Sequence, residues 1–198
     1  MRVKTDARRQ AIVAAAWDVF KANGFERTTM SDISERVGGS KATLYGYFQS
    51  KEQLFAATLE QVIGDSPEAA SARLDSEGDL RMRLSEFARR YLEIRMSPDM
   101  LAVQRALIGE GERSDLGERL RSRFVQPHWR RIAAALDLEM QAGRLRDADP
   151  LLAAWQFRGL IEADLVERRL HGDRTITAHE LETAVTAGVD VFLRAYAA

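Results

Sequence analysis

Residues 28 to 55 read TTMSDISERVGGSKATLYGYFQSKEQLF. Thr29 followed three residues later by Asp32 is a capping box, in which side chain and backbone satisfy each other's free N–H groups at a helix start. Met30, Ile33 and Val37 then recur at helical spacing and give that helix one apolar stripe. Gly38 ends it, because glycine enters the left-handed conformation at a helix C-terminus without steric cost. Ser40 caps the next helix, predicted over Ser40 to Phe48, with Leu44 and Phe48 as inward anchors. Ser50 and Gln53 form a second box that opens a helix from Lys51 to about Ile63. The short middle helix carries Lys41, Thr43, Tyr45 and Tyr47 on its small apolar frame. Two exposed tyrosines are wasteful on a plain surface but suit phosphates and base edges. The backbone N–H groups at Ser40, Lys41 and Ala42 are open to anions.

Upstream, residues 6 to 23 place Ile12, Ala15, Ala16, Val19 and Phe20 at helical spacing, and Gly24 stops that helix. Downstream, 65 to 78 is a polar connection containing Ser, Pro and Gly. Longer helices follow. Asp79 to Met96 carries Leu80, Leu84, Phe87, Tyr91 and Ile94. Ser97-Pro98 and Asp149-Pro150 are caps followed by proline at the first helical position. A segment from Ser114 to Gly143 contains Pro127, which must kink or break it. Thr177 with Glu180 caps the last helix. The pattern is all-α, about nine helices, with a three-helix head in residues 1–50 and a larger helical body in 51–198.

Composition bounds the function. The chain has 198 residues with 45% hydrophobic, enough for a sizeable core. It has 0 cysteines, which excludes disulfides and thiolate chemistry. His128, His171 and His179 stand at no usual metal-ligand spacing, so no metal and no cofactor is expected. There is no nucleophile–base set and no glycine-rich phosphate loop, and an enzyme is not expected. The opening MRVKTDARRQ is polar, no run of 18 apolar residues occurs, and a soluble cytoplasmic protein without membrane contact is the expectation. Net charge is −1, but all four lysines lie in the first 51 residues, where nine Lys and Arg face five Asp and Glu. A basic end on an acidic body fits a phosphate-binding head.

The stretch from Ala11 to about Leu59, with AxxxF at Ala16 to Phe20, then GFERTTMSDIS and SKATLYGYFQSKEQLF, resembles the TetR family of bacterial transcription regulators. The resemblance implies an all-helical homodimer that binds a double-stranded DNA operator, each subunit with a body that binds a small molecule. It implies that Thr29 contacts phosphate. Ser40, Lys41, Ala42 and Thr43 would start the reading helix, Tyr45 would touch base edges and phosphate, Tyr47 phosphate, and Lys51 would clamp phosphate. Three positions depart from the family pattern. Gly39 replaces a small aliphatic residue in the turn, Ala42 replaces a glycine, and Gly46 replaces a large residue within the reading helix.

The body is similar, more loosely, to the AefR-like C-terminal domain of some TetR-family members. Candidate residues for a largely apolar effector are Tyr91, Met96, Met100, Gln104, Leu107, Phe124, Trp129 and Trp155, with ordinary core packing as the other possibility. Leu181, Val185, Gly188, Phe192 and Tyr196 recur on the last helix, with Phe157, Ile161 and Leu165 before it, and these are the expected dimer interface. Burial within one subunit is the alternative. The expected function is a repressor released from its operator by a small molecule. The rival is a DNA-bound protein whose body docks another protein, and a body without a pocket would favour it.

Overall fold

Thr5 accepts the N–H of Arg8 and so starts the first helix, α1 (Asp6–Asn23), which Gly24 ends at φ 78°. The structure, a computed structural model, describes residues 5–64, 71, 72, 74, 78–110 and 115–198. The expected polar connection over 65–78 and the start at Ser114 lie largely outside the described residues. α2 (Met30–Val37) has the full Thr29–Asp32 capping box, and Gly38 closes it in the left-handed conformation. α3 (Lys41–Tyr47) is capped by Ser40, and α4 (Lys51–Ile63) by Ser50. Gln53 differs from its expected role. Its Oε1 accepts the N–H of Gln49 at 2.7 Å, one residue ahead of the cap.

In the body, α5 (Leu80–Arg95) follows the Asp79 cap, and α6 is Pro98–Glu110. α7 (Leu116–Leu120), a π-helical turn (Arg121–Val125) and α8 (Gln126–Gln141) run on without a break. Of the kink or break expected at Pro127, the chain shows no break but a π-helical turn just upstream. A proline without an N–H leaves the Arg123 carbonyl unserved. The chain absorbs this one turn earlier by widening, with the Gln126 N–H reaching back five residues to the Arg121 carbonyl. α9 (Pro150–Glu162), α10 (Leu165–Leu170) and α11 (Ala178–Tyr196) complete the chain, the last on the Thr177–Glu180 box. The fold is all-α, as its sequence pattern indicates.

Two apolar clusters organise these helices. The first joins Ile12, Ala16 and Phe20 of α1 to Ile33, Leu44 and Phe48, and continues into Leu54, Phe55 and Leu59 of α4, then to Val103 and Leu120. This cluster continues across residue 50, because α4 turns its apolar face onto α1. The second cluster packs α5, α8, α9 and α11 around Phe87, Trp129, Phe157 and Phe192. Ring contacts tie it together, Phe157 to Phe192 at 4.9 Å and Phe192 to Tyr196 at 4.7 Å. Side chains of this size each contribute about 1.5–3 kcal/mol when fully buried.

That second cluster uses the residues expected at a dimer seam. Phe157, Ile161, Leu165, Val185, Gly188, Phe192 and Tyr196 are all buried within one chain, and Leu181 is half-buried against the same core. A Cβ on Gly188 would lie 2.8 Å from the Leu160 carbonyl oxygen, so the glycine lets α11 cross α9 backbone to backbone. The small residue serves a helix crossing inside the subunit. Of these side chains, Leu181 keeps a partly exposed surface in the single chain.

Candidate nucleic-acid interface and its adjoining cavity

α3 buries one side only. Leu44 is inside, together with Phe48 just past its end, while Lys41, Ala42, Tyr45 and Gly46 are exposed. Tyr45 is 50% exposed, which removes the possibility that it is a core aromatic. Thr43 is half-buried, and its Oγ1 lies 2.9 Å from the Ser40 Oγ that also accepts the Thr43 N–H. Ser40 is therefore committed to holding the start of α3. The Tyr47 hydroxyl accepts the Thr5 N–H at 3.2 Å, which pins the beginning of α1 to the end of α3.

Thr29 caps α2 and remains exposed. Its box holds the Asp32 carboxyl below the usual carboxylate range, mainly through the Thr29 N–H and then its hydroxyl, with Lys41 adding a smaller effect. Lys51 is half-buried. Its ammonium donates to the Phe25 carbonyl at 2.9 Å and the Glu26 carbonyl at 3.4 Å, and sits 4.2 Å from the centroid of the Phe25 ring. An ammonium has three protons, so a third remains for an acceptor outside the head. Nothing lies within 4 Å of a Cβ built on Gly46, so no neighbour in the chain demands glycine there. At Gly39 a Cβ would meet the Arg8 guanidinium at 3.1 Å.

Behind the head lies a cavity of about 370 Å³ between α4, α5, α6, α8 and the π-helical turn. Tyr91, Met100, Gln104, Leu107, Phe124 and Trp129 line it, whereas Met96 and Trp155 do not. Met96 caps the end of α5 and packs on the body core, and Trp155 packs against Trp129 from outside at 5.5 Å. Sequence spacing showed which helices carry large apolar residues but not how they rotate about their axes.

The arginines of the wall were not foreseen. Arg95, Arg121, His128 and Arg158 line the same cavity. Arg158 Nε lies 3.0 Å and Arg95 Nε 3.3 Å from Glu162 Oε1, and the Tyr91 hydroxyl donates to that oxygen at 2.5 Å. Burial, and next the Glu162 charge, pushes the Tyr91 phenol well above its ordinary pKa, so it remains a neutral donor. Gln104 Nε2 donates to the Arg95 carbonyl at 3.1 Å, while its buried Oε1 has no partner among the described residues. A signal for this set existed in the sequence: Tyr91 and Arg95 are four apart on one helix, as are Arg158 and Glu162 on another.

The cavity wall is physically joined to the head. α6 contributes Met100, Gln104 and Leu107 to the cavity. In its first turn Asp99 Oδ1 accepts from Lys21 Nζ at 2.9 Å and from Trp17 Nε1 at 3.3 Å, both on α1. Arg123 in the π-helical turn reaches Glu60 of α4 at 2.7 Å.

An all-helical chain with a capped glycine-turn head presenting a one-sided helix has the form of a helix-turn-helix DNA-binding protein. Among known proteins, residues 12–58 match the bacterial regulatory protein model of the tetR family, and residues 82–198 match the AefR-like transcriptional repressor C-terminal domain. The chain belongs to the TetR family and is a DNA-binding transcriptional regulator. It is 34% identical over 114 residues to the HTH-type transcriptional regulator BetI of Rhizobium meliloti, an alignment that spans 57% of this chain and 56% of BetI. In structure it is similar to the flavonoid-responsive regulator FrrA, with TM-score 0.78, 31% identity and 98% of both chains covered. A TetR-family regulator from Mesorhizobium loti shares the fold at TM-score 0.89 and 23% identity, with both chains covered in full. Among the described residues no helix is long and apolar enough to cross a membrane, and no group of His, Asp and Glu could hold a metal ion.

Proposed function

We propose that this protein is a homodimeric repressor that a small, largely apolar molecule releases from its operator. The observation that carries this is α6, which forms one wall of the cavity while its first turn is bonded to α1 of the head through Asp99. A ligand that fits the cavity better when α6 is displaced shifts the head with it, and DNA affinity falls by the ligand's differential affinity for the two states. The similarity to FrrA, a flavonoid-responsive regulator, supports an effector of this general kind. A cavity in the body also favours this function over a body that only docks another protein.

Two reading helices must enter successive major grooves about 34–36 Å apart, so a dimer is required. With the expected seam buried inside one chain, the faces of α9 and α11 turned away from the core are the surface for the second copy. There Leu152 and Val191 are exposed beside the small residues Gly159 and Ala187, and two helices from each subunit make a four-helix bundle.

On the DNA, Tyr45 and Thr43 read bases, with Lys41 and Ala42 beside them at the start of the helix. Thr29, Tyr47 and Lys51 hold phosphates, and Ser40 orders the helix start. Selection of bound sites from random duplex DNA tests this. A paired half-site motif is expected, and it should change when the selection is repeated with Tyr45→Ala, each lost base contact costing about 1–3 kcal/mol of discrimination. An unchanged motif would remove Tyr45 from base reading.

A further inference from the structure

Among the described residues, the charges around the cavity do not balance. Arg95 and Arg158 converge on a single carboxylate, Glu162, and all three side chains are mostly buried, at 21%, 23% and 16% exposure. Two guanidinium groups against one carboxylate leave one positive charge in a site walled by Trp129 and Phe124. The Tyr91 hydroxyl, the third donor on the same oxygen, is neutral and offsets nothing. Arg121 adds a further cation to the wall, and no Asp or Glu is among the described lining residues. Arg158 and the exposed Arg121 also lie over indole rings. Arg158 lies 5.9 Å from the Trp129 ring centroid and 5.6 Å from that of Trp155, and Arg121 lies 5.9 Å from the Trp155 ring. Stacked guanidinium planes lose little freedom when an anion pairs with them.

We propose that the cavity selects an apolar monoanion, an aromatic body with one carboxylate-like group set against Arg158 and Arg121. This rests on the cavity being the effector site. Two buried guanidinium groups share one carboxylate here, and a second negative group entering the site completes their pairing. The apolar walls hold the remainder of the ligand and exclude small inorganic anions, which cannot replace their own hydration there.

A charge series of equal shape tests this with the full-length protein by titration calorimetry, using 4-biphenylcarboxylate, 4-biphenylcarboxamide and 4-biphenylmethylammonium. The carboxylate is expected to bind about tenfold or more tighter than the carboxamide, the range of a charge-assisted hydrogen bond, with the ammonium weakest. In Arg158→Met, which keeps an apolar stem against Trp129, the carboxylate-to-carboxamide ratio falls toward one while carboxamide affinity is kept. Arg121→Met, outside the Glu162 cluster, lowers the same ratio and serves where Arg158→Met does not fold. Equal binding of carboxylate and carboxamide, tightest binding of the ammonium, or a ratio unchanged in both variants overturns the charge selection and leaves the cavity as a ligand site. If none of the three probes binds, the effector site itself is refuted and the charge selection with it.

Discussion

Asp99 in the first turn of α6 accepts a 2.9 Å hydrogen bond from Lys21 on α1, 78 positions earlier in the chain. The same oxygen takes the Trp17 indole N–H at 3.3 Å. These bonds join the cavity's α6 wall to the helix on which the DNA-reading pair packs. The pair is half-exposed, and as a source of stability it is worth little. Its value is positional. Asp99→Ala should leave the melting temperature within a few degrees of wild type and keep ligand affinity. It should also reduce the factor by which ligand weakens operator binding. An unchanged factor would show that coupling runs elsewhere, for instance through Arg123 and Glu60.

Lys51 holds the loop ahead of α2 and is proposed to hold a phosphate as well. Its bonds to the Phe25 and Glu26 carbonyls hold the loop ahead of α2. Its third proton is available for a phosphate. Lys51→Ala should lower the melting temperature and also weaken binding to all DNA sequences alike, with the salt slope reduced by about 1. Lower stability with an unaltered slope would make Lys51 a loop tether only.

Gly46 has open space around its Cβ position. Gly46→Ala should therefore stabilise the protein by about 0.5–1 kcal/mol through helix propensity alone. Operator affinity should be retained, since in the proposed docking Tyr45 and Tyr47 hold the backbone away from the duplex. A tenfold loss of affinity in a more stable protein would mean that the DNA backbone approaches Gly46 too closely for a methyl group.

Neighbouring positions on α11 separate folding from assembly. Phe192 is fully buried and Val191 is 48% exposed. Phe192→Asp should fail to fold, because a carboxylate replaces a core ring at a cost of about 3–5 kcal/mol or more. Val191→Asp should give a folded monomer by light scattering, with tight operator binding lost. A folded dimer of Val191→Asp would place the interface on another face.

Acid stability carries a signature of the turn before α11. The Thr175 hydroxyl and N–H, with Arg168 assisting, hold the Asp173 carboxyl at about 2, against an ordinary value of 3.8. A folded-state pKa below the unfolded one gives stability that is complete above the unfolded value and is lost as pH falls through the folded one. The loss should fall between about pH 4 and about pH 2, and Asp173→Asn should flatten it there while lowering stability at neutral pH. Denaturation midpoints measured across that window would test this, and equal slopes in the two proteins would count against it.

The head was legible in the sequence because its signals are local. Thr29, Asp32, Gly38 and Ser40 act on N–H and C=O groups within four residues, so spacing alone fixes α2, the turn and α3. The exposure of Tyr45 follows from Leu44 and Phe48 taking the inward side. The same reasoning placed the caps at Asp149 and Thr177, 28 residues apart. It failed wherever the outcome depended on a partner distant in the chain. Gly188 and Phe192 read as a subunit seam, with burial in a core as the alternative. Only the crossing of α11 over α9, which brings Gly188 against the Leu160 carbonyl, buries them within one chain. Pro127 disturbs its helix a turn upstream, because a neighbouring π turn relieves the missing bond at less cost than a break. The cationic wall of the cavity depends on α5 and α9 meeting side by side, so that Arg95, Arg158 and Tyr91 share Glu162. Hydrophobic periodicity specifies that a helix has an inner face. Which helices share that face, and which charges are thereby buried together, is set by three-dimensional packing.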